Sequence, residues 1–155
     1  MRKLLIGICA TVALTSCAAN PRALTTPETP IIASEPLSGG YVYLAVLEVL
    51  LNEVRTDGLR YVSVDMSDAL YGGRDEFLRL ARKFCASRGC EMLTLTLDEL
   101  VDAGYIDRAE WRFDDGVLIT FDDESVSPHR LVTYATAWRS GATAFASRFA
   151  VELGN

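Results

Sequence analysis

Imidazole is almost absent from this sequence, because its 155 residues contain one histidine, His129. A Ser-His-Asp or Cys-His nucleophilic arrangement would have to use that residue. His129 follows Pro128 in a predicted loop, where a solvent-exposed side chain is the ordinary outcome. The sequence also lacks a P-loop and the patterns Gly-x-Gly-x-x-Gly, His-Glu-x-x-His and Gly-x-Ser-x-Gly. The sequence therefore indicates no catalytic residue, no metal ligand and no cofactor.

Basic side chains are the minority among the charged residues. The chain has 15 Lys and Arg against 21 Asp and Glu, which gives a formal net charge of −6. Because nucleic-acid affinity depends on Lys and Arg displacing counterions from phosphates, this balance argues against a nucleic-acid partner. The same acidic excess argues against electrostatic docking on anionic lipid.

Long hydrophobic runs are missing, with one short exception near the N-terminus. Arg2 and Lys3 precede an apolar run over residues 4–14, which is the charged head and hydrophobic core of a secretory signal peptide. The run is shorter than the roughly 20 residues that a membrane-spanning helix needs. A buried N-terminal helix is the alternative, but we expect residues 1–16 to be a signal peptide.

The next residues carry a resemblance to a known class of proteins. Leu14-Thr15-Ser16-Cys17 resembles the lipobox of bacterial lipoproteins, in which Leu and two small residues precede Cys. The resemblance implies that Cys17 receives a diacylglyceryl group and becomes the first residue of a mature chain anchored by acyl chains such as palmitate. Ala18 stands where that family's inner-membrane retention signal typically has Asp. This implies the periplasmic face of the outer membrane rather than the inner membrane.

Proline is concentrated in the segment that follows the lipobox. Residues 18–38 contain four of the five prolines, which are Pro21, Pro27, Pro30 and Pro36. No helical or strand period persists at this proline density. We therefore expect residues 17–38 to be a lipid-anchored, Pro-rich tether and residues 39–155 to be a single domain.

Cysteine is scarce, and two of the four cysteines are accounted for at the N-terminus. Cys9 lies in the predicted signal and the resemblance assigns Cys17 to lipid, which leaves Cys85 and Cys90. One remaining pair in an exported protein predicts a disulfide. A redox dithiol is the alternative, although the spacing is not Cys-x-x-Cys. One pair with a single His does not complete a zinc site.

The hydrophobic periodicity predicts both helices and strands. In chain order these are a helix over 41–56, a strand over 60–66, a helix over 74–87, a strand over 91–95, a short helix to residue 103, and strands over 109–113, 117–121, 130–138 and 143–153. The last four strands should form two hairpins, the first turning at Asp114-Asp115-Gly116. This order predicts an α+β fold, with a small antiparallel sheet of C-terminal hairpins and the N-terminal helices packed on one face.

The apolar face of the first helix requires a partner. Six of its large side chains share the i, i+3, i+4, i+7 spacing, and they are Tyr43, Val46, Leu47, Leu50, Leu51 and Val54. We expect this face to pack onto the sheet. The alternative partners are a second copy of the chain or the membrane.

Carboxylates are the most frequent candidates for chemistry. Asp65, Asp68 and Asp75 bracket Gly72-Gly73, and Asp122-Asp123-Glu124 form a run between predicted strands. Paired carboxylates can hydrolyse glycosides or bind calcium. Neither group has EF-hand spacing, so solvated acidic loops are the ordinary interpretation of both.

Three aromatic residues are candidates for a ligand groove. Trp111, Trp138 and Tyr134 could line a carbohydrate or peptide groove, although their predicted strand positions favour a place in the core.

Together these features favour a non-enzymatic binding or assembly module of the cell envelope, with an envelope protein or glycan as its possible partner. Two alternatives stay open. One is a small hydrolase that acts on envelope polymers through carboxylates. The other is an immunity-type inhibitor of a toxin, a role that suits small, acidic, exported domains but that no residue here identifies.

The lipobox gives the first prediction. Cys17→Ser should leave an unprocessed or soluble protein, because the sulfur that would carry the diacylglyceryl group is gone. Labelling with radioactive palmitate measures this directly. Incorporation of label into the variant would disprove the assignment of Cys17.

Overall fold

The computed structural model describes residues 29–33, 39–54, 58–69, 72–127 and 130–153. Its elements in chain order are β1 (Thr29–Ala33), α1 (Gly39–Glu53), β2 (Tyr61–Asp68), α2 (Arg74–Ser87), β3 (Glu91–Leu93), α3 (Leu97–Asp102), β4 (Gly116–Ser127), β5 (Arg130–Ser140) and β6 (Thr143–Leu153). The strands form a six-stranded sheet in the order β1-β6-β5-β4-β2-β3. The predicted signal peptide, Cys17 and His129 lie outside the described residues. Within the described ranges, no helix is long and apolar enough to cross a membrane.

The architecture is α+β, but the sheet is mixed. β5 pairs antiparallel with β4 and with β6, as predicted for the C-terminal strands. In contrast, β2 runs parallel to both β3 and β4. The prediction of an antiparallel sheet is therefore wrong for β2 and β3. The reason is that α2 carries the chain back to the starting end of β2 before β3 begins, and such a helical crossover makes parallel neighbours.

The predicted hairpin over residues 109–121 does not form. Residues 108–111 form turns, and β4 pairs with β2 and β5 instead. The carbonyl of Asp115 accepts hydrogen bonds from the amides of Arg60 (2.7 Å) and Tyr61 (3.0 Å), which brings the chain into the sheet beside β2. Gly116 is required at this point, because a Cβ atom there would lie 2.2 Å from the ring of Phe113.

The predicted tether contains a strand. β1 pairs in parallel with β6 over five residues, from Thr29 opposite Phe149 to Ala33 opposite Leu153. The prediction that no strand survives in this segment is therefore wrong for residues 29–33. Pro30 is tolerated because β1 is an edge strand, where a residue without an N–H group removes no hydrogen bond from a second neighbour. Residues 17–28 and 34–38 lie outside the described part.

The first face of the sheet carries the larger core, covered by α1 and α2. α1 packs against α2, β5 and β6. The predicted apolar face of α1 is confirmed, because all six of its side chains are buried: Tyr43, Val46, Leu47, Leu50, Leu51 and Val54. They pack with residues of the sheet such as Val64, Ile119 and Phe149.

The second face carries a smaller core, so the helices are not confined to one face. Leu100 of α3 packs with Ile106, Phe113 and Leu118, and Trp138 lies against this group. Leu118 alternates along β4 with Val117 and Ile119, which belong to the larger core, so α3 lies on the opposite side from α1 and α2. The expectation that all helices pack on one face is wrong for α3. The N-terminus of α3 carries a capping box formed by Thr96 and Glu99.

A buried polar contact links α1 to β4. The hydroxyl of Tyr43 donates a hydrogen bond to Oδ2 of Asp123 at 2.5 Å, and both residues are buried. The Tyr43 ring packs edge to face on Phe77 and Phe121, with centroids 5.8 and 5.1 Å away. The register of β4 against β5 shifts between Asp123 and Ser125, so the contact lies at a bulge.

This contact gives a prediction about stability. Tyr43→Phe should lower the free energy of unfolding by about 1 to 3 kcal/mol, because it removes a donor from a buried carboxylate while keeping the ring. Tyr41→Phe is the matched control, since Tyr41 is 44% exposed on the same helix, and it should change stability by less than about 0.5 kcal/mol. Urea unfolding measures both variants. Equal stability of the two would contradict the role given to the contact.

Candidate functional site

Asp65 and Asp75, which flank the Gly72-Gly73 loop, lie on opposite faces of the sheet. Oδ1 of Asp65 accepts hydrogen bonds from the amide (2.9 Å) and hydroxyl (2.6 Å) of Ser67. Asp65 alternates with Val64, so it lies on the second face of the sheet. Asp75 is in the first turn of α2, which covers the first face. In the described part of the chain, no group of three or more His, Cys, Asp or Glu is placed to hold a metal ion.

The second acidic run lies within β4 and is not a solvated loop, so that interpretation is wrong. Asp122 is exposed, whereas Asp123 points into the first core toward Tyr43. Glu124 lies at the bulge and accepts a hydrogen bond from Nε of Arg148 at 2.8 Å. Alternation along the strand therefore buries Asp123 and leaves Asp122 and Glu124 exposed on either side of it in the sequence.

The three candidate aromatic residues occupy different places. Trp138 packs partly buried against the second core, which confirms the core interpretation for that residue. Trp111 and Tyr134 are 46% and 42% exposed, so the core interpretation is wrong for both. Tyr134 lies on the second face beside Arg148, whose guanidinium carbon is 6.0 Å from the ring centroid.

Trp111 has an unusual backbone conformation. Its φ is 48°, and it is the only non-glycine residue with positive φ in the described ranges. Its amide donates to the carbonyl of Asp107 at 2.8 Å, which closes a turn just before Arg112. A left-handed conformation costs a residue with a side chain on the order of 1 kcal/mol. Such strain persists where the surroundings impose it, and it is concentrated at functional sites.

The surroundings that impose this conformation are backbone contacts with the end of β5. Arg112 forms isolated antiparallel bridges with Asp107 and with Ser140. The amide of Phe113 donates to the carbonyl of Arg139 at 2.7 Å. Residues 107–112 thus form a turn closed on itself by the bridge between Asp107 and Arg112, and its C-terminal end, just after Trp111, is attached to the end of β5.

A cleft of about 330 Å³ opens beside this turn. Its lining residues come from the turn and from the β5–β6 hairpin, and they are Arg112, Phe113, Asp114, Arg139, Ser140 and Thr143. We call it the Trp111 cleft, because Trp111 directly precedes Arg112 of its wall.

Asp114 organises the charged groups of the Trp111 cleft. Its carboxylate pairs with Nε of Arg112, and its carbonyl accepts a hydrogen bond from Nη2 of Arg139 at 2.7 Å. The hydrogen bond and charge of Asp114 raise the pKa of the Arg112 guanidinium above its ordinary value, so that group is always protonated. Glu110 adds a second acidic neighbour, 3.7 Å from Nη2 of Arg112. The cleft therefore presents oriented hydrogen-bond donors and acceptors with little net charge.

The two cysteines of the domain are free thiols in this structure, Cys85 buried and Cys90 partly buried. The predicted disulfide is thus not formed here, and it stays a prediction for the oxidised protein. Both thiols lie at the C-terminal end of α2, remote in sequence from every residue of the Trp111 cleft.

The sequence singled out Trp111 but not the rest of its cleft. Arg139 and Asp114 were both assigned to turns, and no local pattern indicates that they meet. Comparisons with known proteins found no matching family model, no similar curated protein and no similar solved structure. The case for a function therefore rests on the geometry of the Trp111 cleft and on the N-terminal sequence.

The conformation of Trp111 gives a further prediction. Trp111→Gly should be more stable than Trp111→Ala by about 1 kcal/mol, because both lose the ring but only Ala has a Cβ atom that opposes a positive φ. At Trp138, in the extended strand β5, the order should reverse, with Ala more stable than Gly by about 0.5 to 1 kcal/mol. Thermal unfolding of the four variants measures both differences. A Trp111→Ala variant as stable as Trp111→Gly, or more stable, would show that Trp111 is not strained.

Proposed function

We propose that this chain is a lipid-anchored, non-enzymatic binding module of the cell envelope that holds a glycan chain in the Trp111 cleft. The single observation that carries the proposal is Trp111 itself. The Trp111 side chain is 46% exposed, its backbone has a strained conformation, and it directly precedes Arg112 of the cleft wall, although Trp111 is not itself one of the lining residues. Strain of this kind is retained where structure or binding requires it.

The chemistry of the Trp111 cleft suits a sugar. A Trp ring combines a large apolar face with a polar N–H group, so it can pack on the C–H face of a pyranose. The guanidinium groups of Arg112 and Arg139 donate hydrogen bonds, and the carboxylate of Asp114 accepts them, which matches the hydroxyl groups of a carbohydrate. Because Asp114 already orients both arginines, little side-chain entropy remains to be lost on binding.

The size of the cleft favours a glycan over a protein partner. Its volume of about 330 Å³ is at the lower end of the range for small-ligand pockets, about 300 to 1,000 Å³. That space suits one or two sugar units of a longer chain. A stable protein interface would need roughly 800 Å² of surface from each partner.

The proposed location supports this choice of ligand. The signal-peptide pattern and the resemblance to a lipobox at Cys17 favour export and anchoring in the outer membrane, facing the periplasm. A domain anchored there would have envelope polysaccharides within reach. The carboxylate-dependent hydrolase has less support, because the sheet separates Asp65 from the helix that carries Asp75.

The proposal predicts a fluorescence response. The chain has two tryptophans, so Trp138→Phe leaves Trp111 as the only indole, and its emission should change when soluble cell-wall glycan fragments are added. Trp111→Phe leaves the partly buried Trp138, whose emission should not respond. Dextran, an unrelated glucan, is the control for nonspecific stacking, and it should leave the emission of Trp111 unchanged.

Affinity measurements complete the test. Trp111→Ala should weaken binding of the same fragments at least tenfold, about 1.4 kcal/mol, because the stacking surface is lost. Tyr134→Ala is the matched control, since Tyr134 is a similarly exposed aromatic residue that adjoins no residue of the cleft wall in the sequence, and it should bind as the unmodified protein does. Equal affinity of both variants, or binding of peptides in preference to glycans, would refute the glycan site.

A further inference from the structure

The end of α2 has a specific hydrogen-bonding pattern that involves both cysteines. The amide of Cys90 donates to the carbonyl of Cys85 at 3.0 Å, and the amide of Gly89 donates to the carbonyl of Ala86 at 3.1 Å. Gly89 has a φ of 76°. These are the 6→1 and 5→2 bonds and the left-handed residue of a Schellman motif.

The Schellman motif places the two cysteines at the positions whose side chains ordinarily touch. Cys85 is the residue that accepts the 6→1 bond and Cys90 is the residue that donates it, and a contact between these two side chains frequently accompanies the motif. The path from one α-carbon to the other consists of three covalent bonds and the hydrogen bond between the Cys90 amide and the Cys85 carbonyl. This short path holds the two α-carbons near the separation of roughly 4.4 to 6.8 Å that a disulfide spans. Burial, with a smaller contribution from the nearby Cys90 thiol, raises the pKa of the Cys85 thiol to about 11.

We propose that Cys85 and Cys90 are an oxidisable dithiol that closes by thiol–disulfide exchange and fastens the end of α2 to the strands beside it. In the reduced protein the Cys90 thiol donates to the carbonyl of Leu59 at 3.3 Å, a hydrogen bond that oxidation removes. The following residue, Glu91, begins β3 and donates its amide to the carbonyl of Arg60 at 2.8 Å. The disulfide would therefore join α2 to the residue that precedes β3, which this backbone hydrogen bond holds beside the start of β2.

The difference in burial sets the order of the two steps. Cys90 is partly exposed whereas Cys85 is 1% exposed, so the Cys90 thiolate attacks a sulfur of the donor disulfide. A mixed disulfide forms on Cys90, and one donor thiolate leaves. Cys85 then gives its proton to water and attacks the Cys90 sulfur, and the second donor thiolate leaves. The protein loses two electrons and two protons, and the donor disulfide is reduced to two thiols.

The second step should be the slow one. Burial, the main cause of the raised pKa of Cys85, persists in the mixed disulfide, so only a small fraction of Cys85 thiols is ionised at pH 8. Because the thiolate is the nucleophile, closure should accelerate about tenfold for each pH unit between 8 and 10. The mixed disulfide on Cys90 should therefore accumulate transiently at the lower pH.

The test uses the full chain with Cys9→Ser and Cys17→Ser, so that the pair supplies the only thiols, and oxidised glutathione as the donor. Intact-mass spectrometry should show a transient glutathione adduct followed by loss of two hydrogens. Cys85→Ser should retain one glutathione, and Cys90→Ser should react much more slowly in the folded protein but readily in urea. Closure should raise the midpoint of thermal unfolding by about 5 °C, reversibly with reductant.

A matched pair of glycine variants separates geometry from general destabilisation. α3 ends in the same motif, with Tyr105 donating to Leu100 (2.9 Å) and Gly104 donating to Val101 (3.1 Å), and Gly104 has a φ of 78°. Gly89→Ala and Gly104→Ala should cost similar stability, but only Gly89→Ala should slow closure, by about fivefold. A stable glutathione adduct without closure in the parent chain, or equal slowing by both variants, would overturn the proposal. None of these readouts depends on glycan binding.

Discussion

Both hydrophobic cores form on β4, and the rest of the structure depends on its register. Val117, Ile119 and Phe121 face α1 and α2, whereas Leu118 faces α3. β4 is also paired along both edges, parallel to β2 and antiparallel to β5. A shift of one residue would exchange the two faces and expose both cores, so packing on either side holds the register for the other.

The two faces of β4 also separate the charged residues near the end of the strand. Asp123 points inward to Tyr43, as alternation along β4 requires, and Glu124 meets Arg148 on the outside. The register of β4 against β5 shifts directly after the inward-facing carboxylate, between Asp123 and Ser125. The carboxylates therefore take part in separate contacts of the sheet, which is why they form no shared acidic site.

The sequence correctly predicted the features that depend on contacts between residues close together in the chain. The period of α1 predicted its buried face, and the short connection between β5 and β6 predicted their hairpin, because each requires only neighbouring residues. Pairing between strands that are far apart in the sequence produces no local pattern. For this reason neither the partners of β2 nor the strand β1 was predicted. The strand predicted over residues 109–113 was wrong for another reason. Ala109, Trp111 and Phe113 alternate like a strand, but the chain is held there by single bridges.

In the candidate sites, too, local features were predicted from the sequence and long-range contacts were not. Cysteine counting predicted the Cys85 and Cys90 pair, and the structure adds the helix-end motif that brings them together. Trp111 was named by its residue type, yet the groups around it were not predictable. Arg112 and Arg139 are 27 positions apart in the sequence, and they meet only because Phe113 bonds to the end of β5.

The placement of β1 has a mechanical consequence. A tensile force applied to the chain before Thr29 reaches the domain first through the five residue pairs that join β1 to β6. Force directed along the strand loads these pairs together in shear, whereas force across it opens them one at a time, beginning with Thr29 and Phe149. Detachment of β1 would uncover the edge of β6, and an uncovered edge can accept a strand from another chain. Tension on the N-terminal segment would thus be converted into a change in which surfaces the sheet offers for assembly.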